Sequence, residues 1–126
     1  CRGAWINPFN HKGIIHGAEE HDILHAKCQE LDVPIAIHPT FIPHGAADGI
    51  FNWPRQGRAW GEMIWLRSVV QQVMISYMAL GTLDRFPNLK LGILEVGCGW
   101  IGAMLDRLDA YTDAMNAVGK RRSASD

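Results

Sequence analysis

The stretch Val33–Thr40, with the sequence VPIAIHPT, decides the fold class of this chain. Its apolar centre, residues 35–37, lies between two prolines and is too short for a helix, which predicts a β-strand. Because the run is apolar on both faces, we expect a strand buried on both sides, as in parallel sheets covered by helices. His38 ends the strand, at the edge where α/β folds collect ligands and catalytic groups.

The same arrangement of a short apolar run followed by a helix occurs before and after this strand. The two other predicted strands are Gly3–Asn7 and Lys90–Glu95. Helices are predicted where apolar residues recur at three- and four-residue spacings, over Glu19–Leu31, Glu62–Arg85 and Trp100–Tyr111. The chain is therefore predicted to be an α/β protein with about three parallel βα units.

Composition limits the class of protein and its partners. The chain has 126 residues, 48% of them hydrophobic, and we predict one domain over residues 1–118 with a polar tail over 119–126. A net charge of −1 predicts neither nucleic acid nor an anionic membrane as a partner. Three cysteines without Cys-x-x-Cys spacing predict a reducing, cytoplasmic location. No apolar run is long enough to span a membrane.

The first predicted helix has an apolar face and a pair of histidines. The spacing predicts that its buried face consists of Leu24, Cys28 and Leu31. His21 and His25 stand at i and i+4, a spacing that can bind a metal. No third ligand lies nearby in the sequence, so a solvated role or a role on the helix face is favoured over metal binding.

A long connection, Phe41–Gly61, follows the strand that ends in His38. Connections of this length inside a compact domain are uncommon and are usually functional lids. Trp53 could stack on a substrate and Arg55 could bind a substrate carboxylate, so both are candidate substrate-binding residues. A packed surface loop is the alternative for each of them.

Glu95 occupies the same position on the third strand as His38 does on the second. Each is the first ionisable side chain after an apolar strand. A buried carboxylate is costly unless it is hydrogen-bonded, protonated or paired with a metal. Two such residues at neighbouring strand ends make a functional site more probable than either one alone.

The turn Gly97-Cys98-Gly99 offers a competing hypothesis. A strand, an acidic residue and a Gly-x-Gly turn into a helix resemble the first motif of S-adenosylmethionine-dependent methyltransferases, in which glycines let the cofactor approach a helix N-terminus. That motif usually has a third glycine two places after the second, where this chain has Ile101. No strand ending in an acidic residue follows about 20 positions later, as such folds expect.

Five segments, taken in order, carry a more extensive resemblance. They are Trp5–Pro8, Gln29–Pro39, Leu83–Lys90, Glu95–Trp100 and Leu105–Asp109. Together they resemble the amidohydrolase-related metal-dependent hydrolases, the branch that includes aminocarboxymuconate semialdehyde decarboxylase and related aromatic-acid decarboxylases. The resemblance covers roughly residues 4 to 110, and the strand ending in His-Pro and the run FPNLK are its most specific parts.

The resemblance implies a (β/α)8 TIM barrel with one divalent metal, usually zinc, at its C-terminal mouth. His38 matches the family's metal ligand on the fifth strand, and Glu95 replaces the catalytic histidine that often ends the sixth. A carboxylate can still ligate zinc or serve as a base. The family's His-x-His pair and its eighth-strand aspartate have no counterpart here. Glu95 suits a less characterised branch of the family, whose pattern reads Glu-x-Gly-x-Gly-Trp.

We therefore expect a partial barrel, about strands four to six, of an enzyme that hydrolyses or decarboxylates a small, carboxylate-bearing substrate. Alone it is expected to be inactive, since catalytic zinc sites normally have three protein ligands. Unpaired sheet edges predict a homo-oligomer. A non-catalytic βα module for assembly is a further alternative, next to the methyltransferase fragment.

Overall fold

The computed structural model describes residues 2–8, 12–39 and 58–123. It forms two compact units, residues 1–96 and 97–126. The strands are β1 (Ala4–Ile6), β2 (Ile35–Ile37) and β3 (Leu91–Ile93). The helices are a 3-10 turn (Glu19–His21), α1 (Asp22–Glu30), α2 (Arg58–Ala79), α3 (Thr82–Arg85) and α4 (Ile101–Ser123).

The three strands form one parallel sheet in the order β1-β2-β3. Backbone hydrogen bonds extend the ladder just beyond the strands: the Ala4 N–H donates to the Pro34 carbonyl and the Ile35 N–H to the Lys90 carbonyl, each at 2.8 Å. The α/β prediction, with three parallel strands, is confirmed. Closure into a barrel stays a prediction.

The two faces of β2 differ in burial. Ile35 and Ile37 are fully buried, as are Val70 and Val73 on α2, so this face belongs to the core. On the opposite face Ala36 is only half-buried. The prediction that β2 is buried on both faces is therefore wrong for the described residues, because small Ala36 has no layer of side chains covering it completely.

The long helix predicted over Glu62–Arg85 is two helices, α2 and α3. Gly81 separates them in the left-handed conformation, with φ of 68°, which glycine adopts without a steric penalty. Leu80 is 45% exposed at this break. At its other end α2 begins at Arg58, inside the predicted lid, and the rest of the lid up to residue 57 lies outside the described residues.

The buried face of α1 agrees with the prediction at Cys28 but not at the two leucines. Leu24 and Leu31 are 36% and 59% exposed, whereas His25 is fully buried beside Cys28. The His25 ring packs edge-on against Tyr77 and Phe86, with 5.2 Å and 5.6 Å between ring centroids. Aromatic partners from α2 and from the residue after α3 thus give a histidine a place in the core.

The second unit consists mainly of α4, which extends to Ser123 and is longer than the predicted helix. The polar tail predicted from residue 119 onward overlaps the last turns of α4. Polar side chains alone do not end a helix. Cys98 in the second unit is exposed, and Cys28 in the first unit is buried. Both are free thiols. None of the helices in the described ranges is both long and apolar enough to cross a membrane.

Packing between α2, α3 and β3 leaves an apolar cavity of about 230 Å³. Its lining residues are Met74, Met78, Leu83, Leu89, Leu91 and Ile93. The position of Met74 and Met78 in this lining is typical of methionine, since flexible thioethers suit irregular packing. The lining offers no ionisable side chain, so the cavity is not a candidate catalytic site.

Replacing Tyr77 by phenylalanine is expected to leave stability unchanged or to raise it. Tyr77 is buried and its hydroxyl has no hydrogen-bond partner among the described residues, and burial raises its pKa. Removing an unsatisfied buried hydroxyl should raise the free energy of unfolding by up to about 1 kcal/mol, measured by urea denaturation. Tyr111→Phe, at a 60% exposed position, is the control. A loss of stability in Tyr77→Phe would contradict the unsatisfied hydroxyl.

Candidate functional site

His38 follows β2 directly, and the backbone of β1 fixes its position. Its N–H donates to the Ile6 carbonyl at 3.1 Å, which continues the β1–β2 ladder one residue beyond the strand. The His38 side chain is 22% exposed, and its Nδ1 is buried without a hydrogen-bond partner in the described ranges. The imidazole therefore lies at the C-terminal edge of the sheet, within reach of a ligand.

Glu95 is brought to the same edge by β3. The Leu94 N–H donates to the Ile37 carbonyl at 3.0 Å, so the chain after β3 stays paired beside the end of β2. Glu95 Oε2 lies 3.4 Å from His38 Nε2, and the Glu95 side chain is 69% exposed. The predicted proximity of these two residues is confirmed.

The backbone at Glu95 is strained. Its φ is 60°, in the left-handed region that costs a residue with a β-carbon about 1–2 kcal/mol. Strain of this kind concentrates at functional sites, where the surrounding structure maintains it. At Glu95 this conformation occurs together with the contact between its carboxylate and His38. The two observations make Glu95 a stronger candidate for a functional residue than its position in the sequence does alone.

The spacing of the two side chains fits a shared metal ion. Ligands bound at about 2.0–2.2 Å to a tetrahedral zinc lie about 3.3–3.6 Å from one another. The 3.4 Å between His38 Nε2 and Glu95 Oε2 falls in this range. Imidazole nitrogen and carboxylate oxygen are both zinc ligands. Among the described residues no group of three potential ligands forms, so this pair could supply only part of a zinc site.

The histidines His16, His21 and His25 form a separate cluster, whose contacts indicate a structural role. The His21 ring lies 5.4 Å from His16 and 6.5 Å from His25, so a third histidine does adjoin the pair at i and i+4. His16 Nε2 is 2.8 Å from the Asn7 carbonyl and His25 Nδ1 is 3.2 Å from Asp22. His25 is fully buried rather than solvated, so of the two predicted roles it has the one on the helix face.

Asp22 links this cluster to α3 through an ion pair. Arg85 donates from Nε and Nη2 to the two carboxylate oxygens of Asp22, each at 2.9 Å. This bidentate pairing lowers the pKa of Asp22 and raises that of Arg85. The third Arg85 nitrogen, Nη1, donates to the Leu80 carbonyl at 2.6 Å. The pair therefore connects the start of α1 to the break between α2 and α3.

Acidification is expected to destabilise the fold through His16 and His25. Burial lowers the pKa of both from the ordinary 6.5, and for His25 the Asp22 carboxylate opposes this effect. The folded state then binds fewer protons than the unfolded state once the pH falls below about 6.5. Stability is therefore fully present above that pH and falls below it, by at most about 1.4 kcal/mol per pH unit for each histidine.

The measurement is the melting temperature between pH 8 and 5, for the native chain and for His25→Phe. Phenylalanine keeps the contacts with Tyr77 and Phe86 and does not titrate. The decline should be shallower in the variant. The Asp22 carboxyl, with its lowered pKa, contributes only at lower pH, below about 3.8. A melting temperature that is level or rises on acidification to pH 5 would contradict the expected decline.

The glycine turn that suggested a methyltransferase opens the second unit. Gly97 has φ of 65°, and its carbonyl accepts a hydrogen bond from the indole N–H of Trp100 at 2.9 Å. The Ile101 N–H donates to the Cys98 carbonyl at 3.1 Å, at the start of α4. Carbonyl groups of the turn thus accept hydrogen bonds from residues at the start of α4. This arrangement does not by itself indicate a nucleoside-binding site.

Several sequence predictions have no structural test. The candidate substrate-binding residues Trp53 and Arg55 lie outside the described residues. A small-molecule substrate, the absence of nucleic acid and membrane partners, and a homo-oligomer likewise stay predictions.

Two of the similarities to known proteins bear on the family of this chain. No protein-family model matches the chain. It is 35% identical over 127 residues to Decarboxylase orsB of Emericella nidulans, covering 94% of this chain and 36% of that protein. It also resembles the crystal structure of a Staphylococcus aureus protein provisionally described as an amidohydrolase, with a TM-score of 0.57 and 25% identity over 73% of this chain and 31% of that one.

The chain thus spans about a third of the length of both proteins. The two similarities agree with each other and support an amidohydrolase-like family. They suggest an enzyme family with decarboxylase or hydrolase members.

Proposed function

We propose that this chain forms part of the active site of a metal-dependent amidohydrolase-type enzyme, a decarboxylase or hydrolase acting on a small, carboxylate-bearing substrate. The observation that carries the proposal is the 3.4 Å contact between His38 Nε2 and Glu95 Oε2 at the C-terminal edge of a parallel sheet. This is the edge at which α/β enzymes assemble their catalytic groups.

In this proposal His38 holds a divalent metal, zinc in the first instance, through Nε2. A bound zinc ion would act as a Lewis acid toward a substrate oxygen or a water molecule. The His38 backbone is fixed by its hydrogen bond to Ile6, which keeps the residue at the edge of the sheet. Further ligands would come from the remainder of the longer enzyme, because a catalytic zinc normally has three protein ligands.

Glu95 has a second role in the proposal. Its side chain is 69% exposed while its carboxylate touches His38, so it can contact both the metal ligand and an arriving substrate. A carboxylate in that position can orient a water molecule or transfer a proton to the reacting carbon. The left-handed backbone at Glu95 directs this side chain from the end of β3.

The experiment uses the full polypeptide that the gene encodes, assayed for CO2 release from a panel of small carboxylic acids and for amine release from small amides. We expect one of these reactions, its loss on treatment with dipicolinate, and its recovery on addition of zinc. Glu95→Gln should reduce the rate by about 10²-fold or more while the protein stays folded, since a positioned acid–base group contributes about 10²–10⁴-fold.

Activity that survives complete metal removal would contradict the metal-dependent mechanism. Activity that is unaffected in Glu95→Gln would exclude the proposed role of that carboxylate. Lys27→Gln is a matched control, because Lys27 is an exposed residue of α1 that pairs with Glu30 on the same helix. It should leave the rate unchanged.

A further inference from the structure

Three side-chain positions form one row across the sheet on the face opposite the core. The register aligns Trp5 with Ala36 and Ala36 with Gly92. Because side chains alternate along a strand, this row lies on the face opposite Ile35 and Ile37. Trp5 is 54% exposed. Its indole is thus the one large side chain in a row whose other members have a methyl group or a hydrogen.

His38 lies on the same face, two residues beyond Ala36 on the continuation of β2. The small side chain of Ala36 leaves room for the indole of Trp5 to reach the imidazole. The two ring centroids are 5.9 Å apart with an interplanar angle of 49°. This separation is within the 4.5–7 Å range of attractive aromatic pairs.

Among the described residues, the imidazole has no partner of the kind that usually orients a metal-binding histidine. Such a histidine normally donates its second ring N–H to a carboxylate, a carbonyl or a water molecule, which sets the ring orientation. His38 Nδ1 is buried and has no hydrogen-bond partner among the described residues, while Nε2 faces Glu95. Packing, rather than a hydrogen bond at Nδ1, must therefore limit the rotation of the ring.

We propose that Trp5 is a positioning residue for His38: its indole holds the imidazole in the orientation that directs Nε2 toward Glu95 and a metal ion. The backbone hydrogen bond from His38 to Ile6, the neighbour of Trp5 on β1, fixes the distance between the two side chains. The role in metal binding rests on the proposed function, whereas the orientation of the ring does not depend on it.

The first test needs no metal. NMR of the ¹⁵N-labelled histidine rings, at a pH well above the ordinary histidine pKa, reports the tautomer and the mobility of His38. In the native chain we expect one tautomer and an ordered ring. Trp5→Leu should produce a mixed tautomer signal or a mobile ring, and Trp5→Phe should restore most of the native pattern. Trp60→Leu, which removes a 74% exposed indole from α2, should leave it unchanged.

The second test measures zinc affinity by competition with a chromogenic chelator in the full polypeptide. Trp5→Leu should weaken binding about threefold to tenfold, as expected for loss of one aromatic contact, and Trp5→Phe much less. An ordered native His38 signal in Trp5→Leu would overturn the positioning role, whatever the zinc result. Failure of the native protein to bind zinc would instead overturn the proposed metal-dependent function, so the two failures are distinguishable.

Discussion

Gly17→Ala is expected to destabilise the first unit by about 3 kcal/mol or more, because a β-carbon at this position has no space. An ideal Cβ on Gly17 would lie 2.3 Å from the Ser76 carbonyl oxygen and 2.7 Å from the Tyr77 nitrogen. Both obstacles are backbone atoms of α2. The clash can therefore be relieved only if α2 and the loop that contains Gly17 move apart. Rotation of a side chain cannot relieve it, because the clashing atoms belong to the backbone.

Separation would also break the hydrogen bonds that hold this loop in place. The Gly17 N–H donates to the Ser76 hydroxyl at 3.0 Å, and its carbonyl accepts from the Thr82 hydroxyl at 2.6 Å. The Ser76 hydroxyl donates in turn to the Val73 carbonyl at 2.7 Å. These groups are buried, so each lost partner leaves an unsatisfied polar atom that costs about 1–3 kcal/mol.

The measurement is the melting temperature, followed by circular dichroism, and we expect a decrease of about 10 °C or more for Gly17→Ala. Gly3→Ala is the matched control, since a β-carbon there meets its nearest neighbour, the Pro34 carbonyl oxygen, at an ordinary 3.7 Å. Its melting temperature should stay within a few degrees of the native value. Equal melting temperatures for Gly17→Ala and Gly3→Ala would show that the close approach to α2 is absent.

The parallel sheet was predictable because its signal is local. Each strand is a short apolar run between turn-forming residues, and all three observed strands lie inside the predicted segments. The core around Gly17 was not predictable, since its partners Ser76 and Thr82 are 59 and 65 residues away in the sequence. Periodicity reports only that a face is apolar, which is why it assigned Leu24 to the core of α1 in place of His25.

In the candidate site, too, some features were predictable from the sequence and others were not. The proximity of His38 and Glu95 followed from one topological rule, that parallel strands bring their C-terminal ends to one edge. The left-handed backbone at Glu95 gave no sequence signal, because glycine, asparagine and aspartate are the residues that normally indicate it. The position of the Trp5 indole beside His38 was not predictable. It depends on the register of β1 against β2, which the sequence of neither strand encodes alone.

His38→Ala is expected to weaken zinc binding by more than about 100-fold in the full polypeptide. Loss of an outer partner of a metal ligand already costs about 10–100-fold, and loss of the ligand itself should cost more. Folding should be little affected, because the His38 side chain makes no hydrogen bond through Nδ1 among the described residues and its backbone contact to Ile6 is kept.

The measurement is zinc content by elemental analysis after equilibration with a small excess of zinc and desalting, with the melting temperature recorded alongside. His21→Ala is the control, because it removes a half-buried imidazole at a distance along the chain from the sheet edge. Zinc retained in His21→Ala and lost in His38→Ala assigns the metal to the strand edge. The reverse result would instead assign it to the cluster of His16, His21 and His25, and it would remove the basis for placing catalysis at His38 and Glu95.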